Sequence, residues 1–183
     1  RTPEDWQGFV EVWRQARDLN NIVLEAMHTA GLPAFAFPPS AWLQSNQGRA
    51  TTWNLDPLRS ALAVNLIPVV NGDVVFDHSL GGTIFSTEEV FSVIAPELNP
   101  DQILLCGLEP GVWLDHPLCS KLLHRIEISS ADEILAEIGE AAGIDVTGGM
   151  VEKVRLMLRL VAKLPNLQVR IFSGLQPEDL YRA

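Results

Sequence analysis

The sequence predicts an α/β fold, a three-layer αβα sandwich with a mainly parallel central sheet covered by helices on both faces. Two observations predict it. Continuous apolar runs such as "LIPVV", "DQILLC" and "LQVRIF" read as strands buried on both sides, and they alternate with segments whose apolar residues recur at helical spacing. At 183 residues the chain suits one domain, residues 1–183, with enough core to fold without disulfides or metal.

In order, Thr2 and Pro3 with Asp5 open a long first helix. Its apolar positions include Phe9, Val12, Trp13, Leu19, Ile22, Val23 and Met27, and Gly31 and Pro33 end it. "PAFAF" is a short strand, Pro38 to Thr52 a loop, and Asp56-Pro57 the start of a helix ending near Asn65. In "LIPVVNGDVVFD" two β-branched runs flank Asn71-Gly72, the signature of a tight turn between paired strands. Ser86 and Glu89 form a capping box for a helix that should stop before Pro96. "DQILLCG" is a buried strand, "LEPGVWLD" a turn-rich segment, and "HRIEIS" alternates as a strand does. Ser130 and Glu133 open the next helix, which Gly143 closes. Met150, Val154, Met157, Leu158, Val161 and Leu164 share one face of the helix after it, and "LQVRIFSG" is the last strand.

A formal charge of −10 argues against a general nucleic-acid or acidic-membrane binder. No run reaches transmembrane length. With no leader-like start, Cys106 and Cys119 read as reduced thiols of a cytoplasmic protein. The chain opens on Arg1 rather than Met, as a processed product or part of a longer chain would.

In an α/β sheet ligands gather beyond the carboxyl ends of the strands, which here puts Gly72-Asp73, Gly81-Gly82, Gly107 to Gly111 and Thr147 to Gly149 together. Thr147-Gly148-Gly149 offers bare backbone N–H groups at a helix start, the arrangement that binds phosphate. Lys153 follows in that helix's first turns, where the dipole disfavours a cation unless an anion lies between. A plain loop before a helix, with Lys153 paired to a nearby acid, accounts for the same residues, and spacing alone does not choose. Asp73 either faces a ligand or completes an Asn-Gly turn. Capping explains Ser86 and Glu89 but gives Glu88 no part. The four histidines have no metal-ligand spacing, so no protein-held metal is expected.

Four stretches together resemble the amino acid kinase family, and within it the isopentenyl phosphate kinases. They are "IPVVNGDVVFD" for the family's Gly-Asp-Val-Val, "GGTIFSTEEV" for Ile-Leu-Ser-Gly-Asp, "LEPGVW" for Asp-Val-Asp-Gly-Val-Tyr, and "DVTGGMVEKV" for Asp-Val-Thr-Gly-Gly-Met with its lysine. The likeness runs in family order from the first helix to "FSGLQPEDL". It implies a commonly homodimeric, ATP- and Mg2+-dependent phosphotransferase, with isopentenyl phosphate as acceptor and isopentenyl diphosphate as product.

Carried onto this chain, the resemblance gives Lys153 and Glu88 catalytic parts. It assigns the nucleotide to Gly107, Gly111, Val112, Asp145, Thr147, Gly148, Gly149 and Met150 together with Lys153, and the acceptor to Gly72, Asp73 and Ser86. Thr87-Glu88 replaces the family's Gly-Asp, and Leu108-Glu109-Pro110 its Asp-Val-Asp. The family's opening strand with an early lysine, its glycine-rich loop and following histidine, and its closing strand have no counterpart, so the segment is expected to be incomplete as a catalyst. The resemblance leaves two alternatives: the same chemistry on a phosphonate, amino-acid carboxylate or nucleoside monophosphate, and a nucleotide-binding module without catalysis.

Overall fold

The computed structural model describes residues 2–141 and 149–182. The chain divides into two compact units, Arg1–Ile94 and Ala95–Ala183. The first holds α1 (Pro3–Thr29), β1 (Ala34–Ala36), β2 (Leu43–Asn46), β3 (Arg49–Trp53), α2 (Asp56–Ala63), β4 (Ile67–Val69), β5 (Asp73–Asp77), β6 (Gly81–Phe85) and most of α3 (Thr87–Leu98). The second holds β7 (Gln102–Gly107), β8 (Val112–Trp113), β9 (Leu122–Leu123), α4 (Ala131–Ala141), α5 (Gly149–Lys163), β10 (Gln168–Ser173) and α6 (Pro177–Arg182).

The α/β class is as predicted, and the pairings divide by sequence distance. β1 with β4, β2 with β5 and β7 with β10 are parallel and join strands far apart in sequence. The antiparallel pairs β2–β3, β5–β6 and β8–β9 are local. Parallel strands need a crossover, which the helices supply.

Two of the four cap signals form as the sequence predicts, whereas at α4 the Ser130 hydroxyl donates to the Glu127 carbonyl at 3.2 Å and at α2 the N-cap is Leu55, with no side-chain cap bond. Thr2 Oγ1 accepts from the Asp5 N–H at 3.4 Å while Asp5 Oδ2 accepts from the Thr2 N–H at 2.7 Å. Ser86 and Glu89 make the same reciprocal pair at the head of α3, at 2.7 and 3.2 Å. α1 ends at Thr29, and Gly31 just past its C-cap takes φ of +76°, the left-handed conformation that glycine adopts without strain.

Four local expectations differ from the structure. Pro38 to Thr52 is not a loop: after a 3-10 turn it forms the β2–β3 hairpin, whose corner Gln47-Gly48 takes φ of +52° and +71°. Asn71-Gly72 is not a hairpin turn, because β4 pairs with β1 while β5 pairs with β2 and β6; the dipeptide links two sheets. α3 runs through Pro96 to Leu98, since one missing N–H this close to a helix end leaves the other ladder bonds in place. In "HRIEIS" only the preceding Leu122–Leu123 finds a partner strand, and Ile128–Ser130 turns as a 3-10 helix.

In the first unit Leu43, Val75 and Val90 are fully enclosed, with Leu55, Leu58, Val74 and Phe85 around them. α1 packs on the β5–β6 hairpin through Phe9, whose ring stacks on Phe76 at 5.1 Å and leaves no room for a side chain at Gly82. The stripe expected on α1 is only partly covered: Phe9, Val12, Trp13 and Met27 are half-buried, but Leu19 and Ile22 are 64% and 67% exposed, and the buried Leu24 lies outside that stripe. In the second unit Val112, Ile138 and Val154 form a core that Met150, Leu123 and Ile171 flank. Each such buried side chain contributes roughly 1.5–3 kcal/mol.

Candidate functional site

The acceptor-side candidates lie in the first unit, on one corner. Gly72 leaves the end of β4 and presses on the start of α3: a Cβ there would lie 3.1 Å from the Phe85 carbonyl oxygen and 3.3 Å from the Thr87 nitrogen. Its N–H donates to Thr87 Oγ1 at 3.0 Å. The Thr that replaces the family's Gly thus pins the corner to the helix. Asp73 is 2% exposed, and its carboxylate accepts from the Ser40 N–H at 3.1 Å and the Val74 N–H at 2.9 Å. Ser86 Oγ is engaged by the cap described above, and Glu88 stands in the first turn of α3, where the helix dipole favours an acid. The structure therefore brings Gly72, Asp73, Ser86 and Glu88 together.

A second acid in this unit was not singled out from sequence. Asp77, 4% exposed, accepts from Ser45 Oγ at 2.8 Å and from the N–H groups of Gln47, Gly48, Ser79 and Leu80. Burial pushes its carboxyl upward, but the Leu80 and Gly48 N–H groups, the Ser45 hydroxyl and the Ser79 N–H outweigh burial and hold it well below the usual carboxylate range. One carboxylate so closes the turn of β2–β3 and the turn of β5–β6.

The nucleotide-side candidates lie in the second unit. Gly107 ends β7, its carbonyl accepting from the Gly174 N–H just past β10 at 2.9 Å. Gly111 and Val112 lead into β8, and Met150 packs against the core that holds Val112 and Val154. Gly149 begins α5 and Lys153 falls in its second turn, as the spacing predicts. Asp145, Thr147 and Gly148, and the helix end at Gly143, lie outside the described residues. A groove of about 830 Å³ runs along α5 and β10, lined by Val154, Met157, Val161 and Ile171, and reaches Gly111 and Val112 but not Lys153.

Between these elements the segment Leu108–Trp113 carries its own polar contact: the Trp113 indole N–H donates to Glu109 Oε2 at 2.7 Å. Beyond it Asp115 accepts from the Ser120 hydroxyl and from the Ser120 and Lys121 N–H groups, which draws its carboxyl down. Burial, helped by the charges of Glu109 and Asp115, pushes the Cys119 thiol up and disfavours a reactive thiolate.

A family model described as the amino acid kinase family matches residues 3–173. The chain belongs to the amino acid kinase family. It is 29% identical over 177 residues to isopentenyl phosphate kinase of Methanocaldococcus jannaschii, covering 97% of this chain and 64% of that protein. The isopentenyl phosphate kinase of Haloferax volcanii is 30% identical over 160 residues, covering 86% and 62%. A solved isopentenyl phosphate kinase superposes with a TM-score of 0.79 at 25% identity, over 100% of this chain and 68% of that one. An acetylglutamate kinase of Prochlorococcus marinus is similar over a shorter stretch, 26% identical across 79% of this chain. The chain spans less than two thirds of the length of these curated relatives.

Proposed function

We propose that the protein is an ATP-dependent kinase whose acceptor is isopentenyl phosphate and whose products are isopentenyl diphosphate and ADP. The observation that carries this reading is the extent of the likeness: an isopentenyl phosphate kinase aligns over 97% of the chain. The one stretch with a physical reading as a phosphate cradle, Thr147 to Gly149 ahead of Lys153, lies in "DVTGGMVEKV", one of the four stretches that resemble the family.

In this reading the phosphates of ATP lie at the amino end of α5, against the N–H groups of Thr147, Gly148 and Gly149. Asp145 and Met150 flank them, and Gly107, Gly111 and Val112 border the nucleoside. Lys153 then stands beside negative charge, and a position the dipole makes costly becomes favourable. The acceptor lies at the Gly72 corner, with Asp73 and Ser86 holding its backbone and Glu88, in the first turn of α3, as the acid to which the resemblance gives a catalytic part. An acceptor phosphate oxygen bonds to the γ-phosphorus as the bond to the ADP oxygen breaks, and positioning plus charge supply most of the catalysis. Among the described residues no three His, Cys, Asp or Glu side chains gather as a metal site. Mg2+ fits this chain as an ion carried on the nucleotide phosphates, where it would offset their charge.

We read the protein as cytoplasmic and homodimeric. Free Cys106 and Cys119 suit a reducing compartment, and the exposed Leu19, Ile22 and Val23 of α1 suit contact with a second copy. No described helix is long and apolar enough to cross a membrane. Two other readings each have an observation in favour. The acetylglutamate kinase likeness favours a carboxylate acceptor, and Leu108-Glu109-Pro110 in place of the family's acids favours a nucleotide-binding module without catalysis.

The test is ADP release by the protein expressed from its complete reading frame, with isopentenyl phosphate, N-acetylglutamate and a nucleoside monophosphate in parallel. Isopentenyl phosphate should give the highest kcat/KM. Turnover with only another acceptor moves the assignment within the family, and background rates with all three leave the binding module.

A further inference from the structure

We propose that Asn71-Gly72 is a site of spontaneous deamidation that the fold holds in check, and that Thr87 is the residue that holds it. The co-reactant is water, with hydroxide as the base. The chemistry stands apart from the kinase reading, on which only its effect on turnover rests.

Asn71-Gly72 is the one Asn-Gly step in the sequence. Asparagine is a thermolabile side chain, and a glycine after it leaves the next peptide nitrogen unshielded by any Cβ. In the reaction hydroxide removes the Gly72 amide proton, and the nitrogen attacks Asn71 Cγ. The Cγ–Nδ2 bond breaks, the leaving nitrogen takes a proton to become ammonia, and a five-membered succinimide remains. Water then opens the ring at either carbonyl. The product is an aspartyl residue at position 71, or an isoaspartyl one whose main chain runs through the former side-chain carbonyl. Nothing is oxidised or reduced.

Three features of the folded chain withhold this step. The nucleophile is engaged, because the Gly72 N–H donates to Thr87 Oγ1 at 3.0 Å and the proton that must leave is already bonded. The backbone has no room to swing toward α3, since a Cβ on Gly72 would lie 3.1 Å from the Phe85 carbonyl oxygen and 3.3 Å from the Thr87 nitrogen. The electrophile is unassisted: attack places negative charge on Asn71 Oδ1, and that atom is buried with no hydrogen-bond partner among the described residues. It lacks the donors with which acyl-transfer sites stabilise such an oxygen. The amide's orientation is set by its other end, where Asn71 Nδ2 donates to the Gly72 carbonyl at 2.8 Å; the reverse assignment would set two oxygens together.

Deamidation therefore waits for the corner to open, and its rate follows the open fraction. Opening must break the bond to Thr87. In the acceptor reading above, the product sets a new carboxylate, or a lengthened main chain, at the corner that holds an anionic acceptor, so modified molecules lose turnover.

The test is peptide mapping by mass spectrometry of the protein from its complete reading frame, aged in warm, mildly alkaline buffer. A peptide of residues 67–77, too short to fold, gives the intrinsic rate. The wild type should deamidate at position 71 about tenfold or more slowly than the peptide. Thr87→Val keeps the branched shape and drops the hydroxyl, so the rate should rise about three- to tenfold. Thr87→Ser keeps the oxygen and should stay near wild type. Should the valine variant not fold, the wild type serves: its deamidation and its Gly72 amide hydrogen exchange should rise together in sub-denaturing urea. A wild-type rate equal to that of the peptide overturns the protection, and an unchanged rate in a folded Thr87→Val, or exchange that rises without deamidation, overturns the mechanism. ADP release of the aged protein should fall in proportion to the modified fraction; full activity of modified protein would contradict the acceptor corner and leave the deamidation chemistry standing.

Discussion

Gly72→Ala probes the corner on which the acceptor-side residues converge. The added methyl would sit 3.1 Å from the Phe85 carbonyl oxygen, 3.3 Å from the Thr87 nitrogen and 3.5 Å from the Ser86 Cα. All three are backbone atoms at the capped start of α3, so no side-chain rotation relieves the contact. The corner must retreat by about 0.3 Å to reach ordinary van der Waals separation, which stretches the 3.0 Å bond from the Gly72 N–H to Thr87 Oγ1. Overpacking of this kind costs about 1–3 kcal/mol. Alanine returns about 0.4–1 kcal/mol by restricting the unfolded chain, because φ at Gly72 is not in the left-handed region. The balance is a loss of about 0.5–2 kcal/mol, which lowers Tm by about 1–8 °C in a chain of this size. Displacing a substrate-positioning backbone by a fraction of an ångström should also cut kcat/KM about tenfold. Differential scanning calorimetry and the ADP-release assay measure the two together. Wild-type values in both would refute the packing and the site. A lowered Tm with unchanged kcat/KM would make Gly72 a scaffold residue and remove the corner from the acceptor site.

Lys153→Ala should lower kcat by about 10²–10³ with Tm within a few degrees of wild type, since it removes charge stabilisation of the transferring phosphoryl group; steady-state kinetics beside circular dichroism read this. Gly82→Ala places a methyl 2.6 Å from Phe9 Cδ2, so Phe9 must leave its stack on Phe76. The expected cost is about 1–3 kcal/mol, seen as a lower urea midpoint. Asp77→Asn removes a carboxylate whose folded pKa is depressed. That contribution is fully present above the unfolded value of about 3.9 and is lost as pH falls through the folded one. Urea midpoints of wild type and variant should therefore differ at pH 7 and converge progressively below about pH 4, and a gap that does not change with pH would mean the charge is immaterial.

What the sequence made legible was set by range. The Thr2–Asp5 and Ser86–Glu89 boxes span three residues each, so their chemistry is complete within a window that can be read, and both are present. Asn71-Gly72 carries an equally clear local signal, yet β1 takes β4 as its parallel partner, register Ala34 to Ile67, and that pairing overrides the turn. Gln47-Gly48 looked like loop because its flanking strands are short and polar. They are held by Asp77, whose partners at Gln47 and Gly48 lie 30 and 29 residues away. Asp73 reads from sequence as either a ligand-facing acid or part of a turn, and its bond to the Ser40 N–H, 33 residues away, lies outside any local window. Thr87 was visible as a departure from the family's glycine, and only the structure supplies its partner, the Gly72 N–H. At α5 the helix start at Gly149 and the place of Lys153 in the second turn were legible, while the anion that would reconcile that lysine with the helix dipole belongs to the proposal.

The account stands on the amino end of α5 as the place where a nucleoside triphosphate is held. The most direct measurement is a crystal structure of the protein from its complete reading frame with a non-hydrolysable ATP analogue and Mg2+. The account predicts phosphate oxygens on the N–H groups of Gly148 and Gly149, with the Lys153 Nζ within about 3 Å of them. A nucleotide bound elsewhere, or Lys153 turned away from a nucleotide bound there, would contradict it.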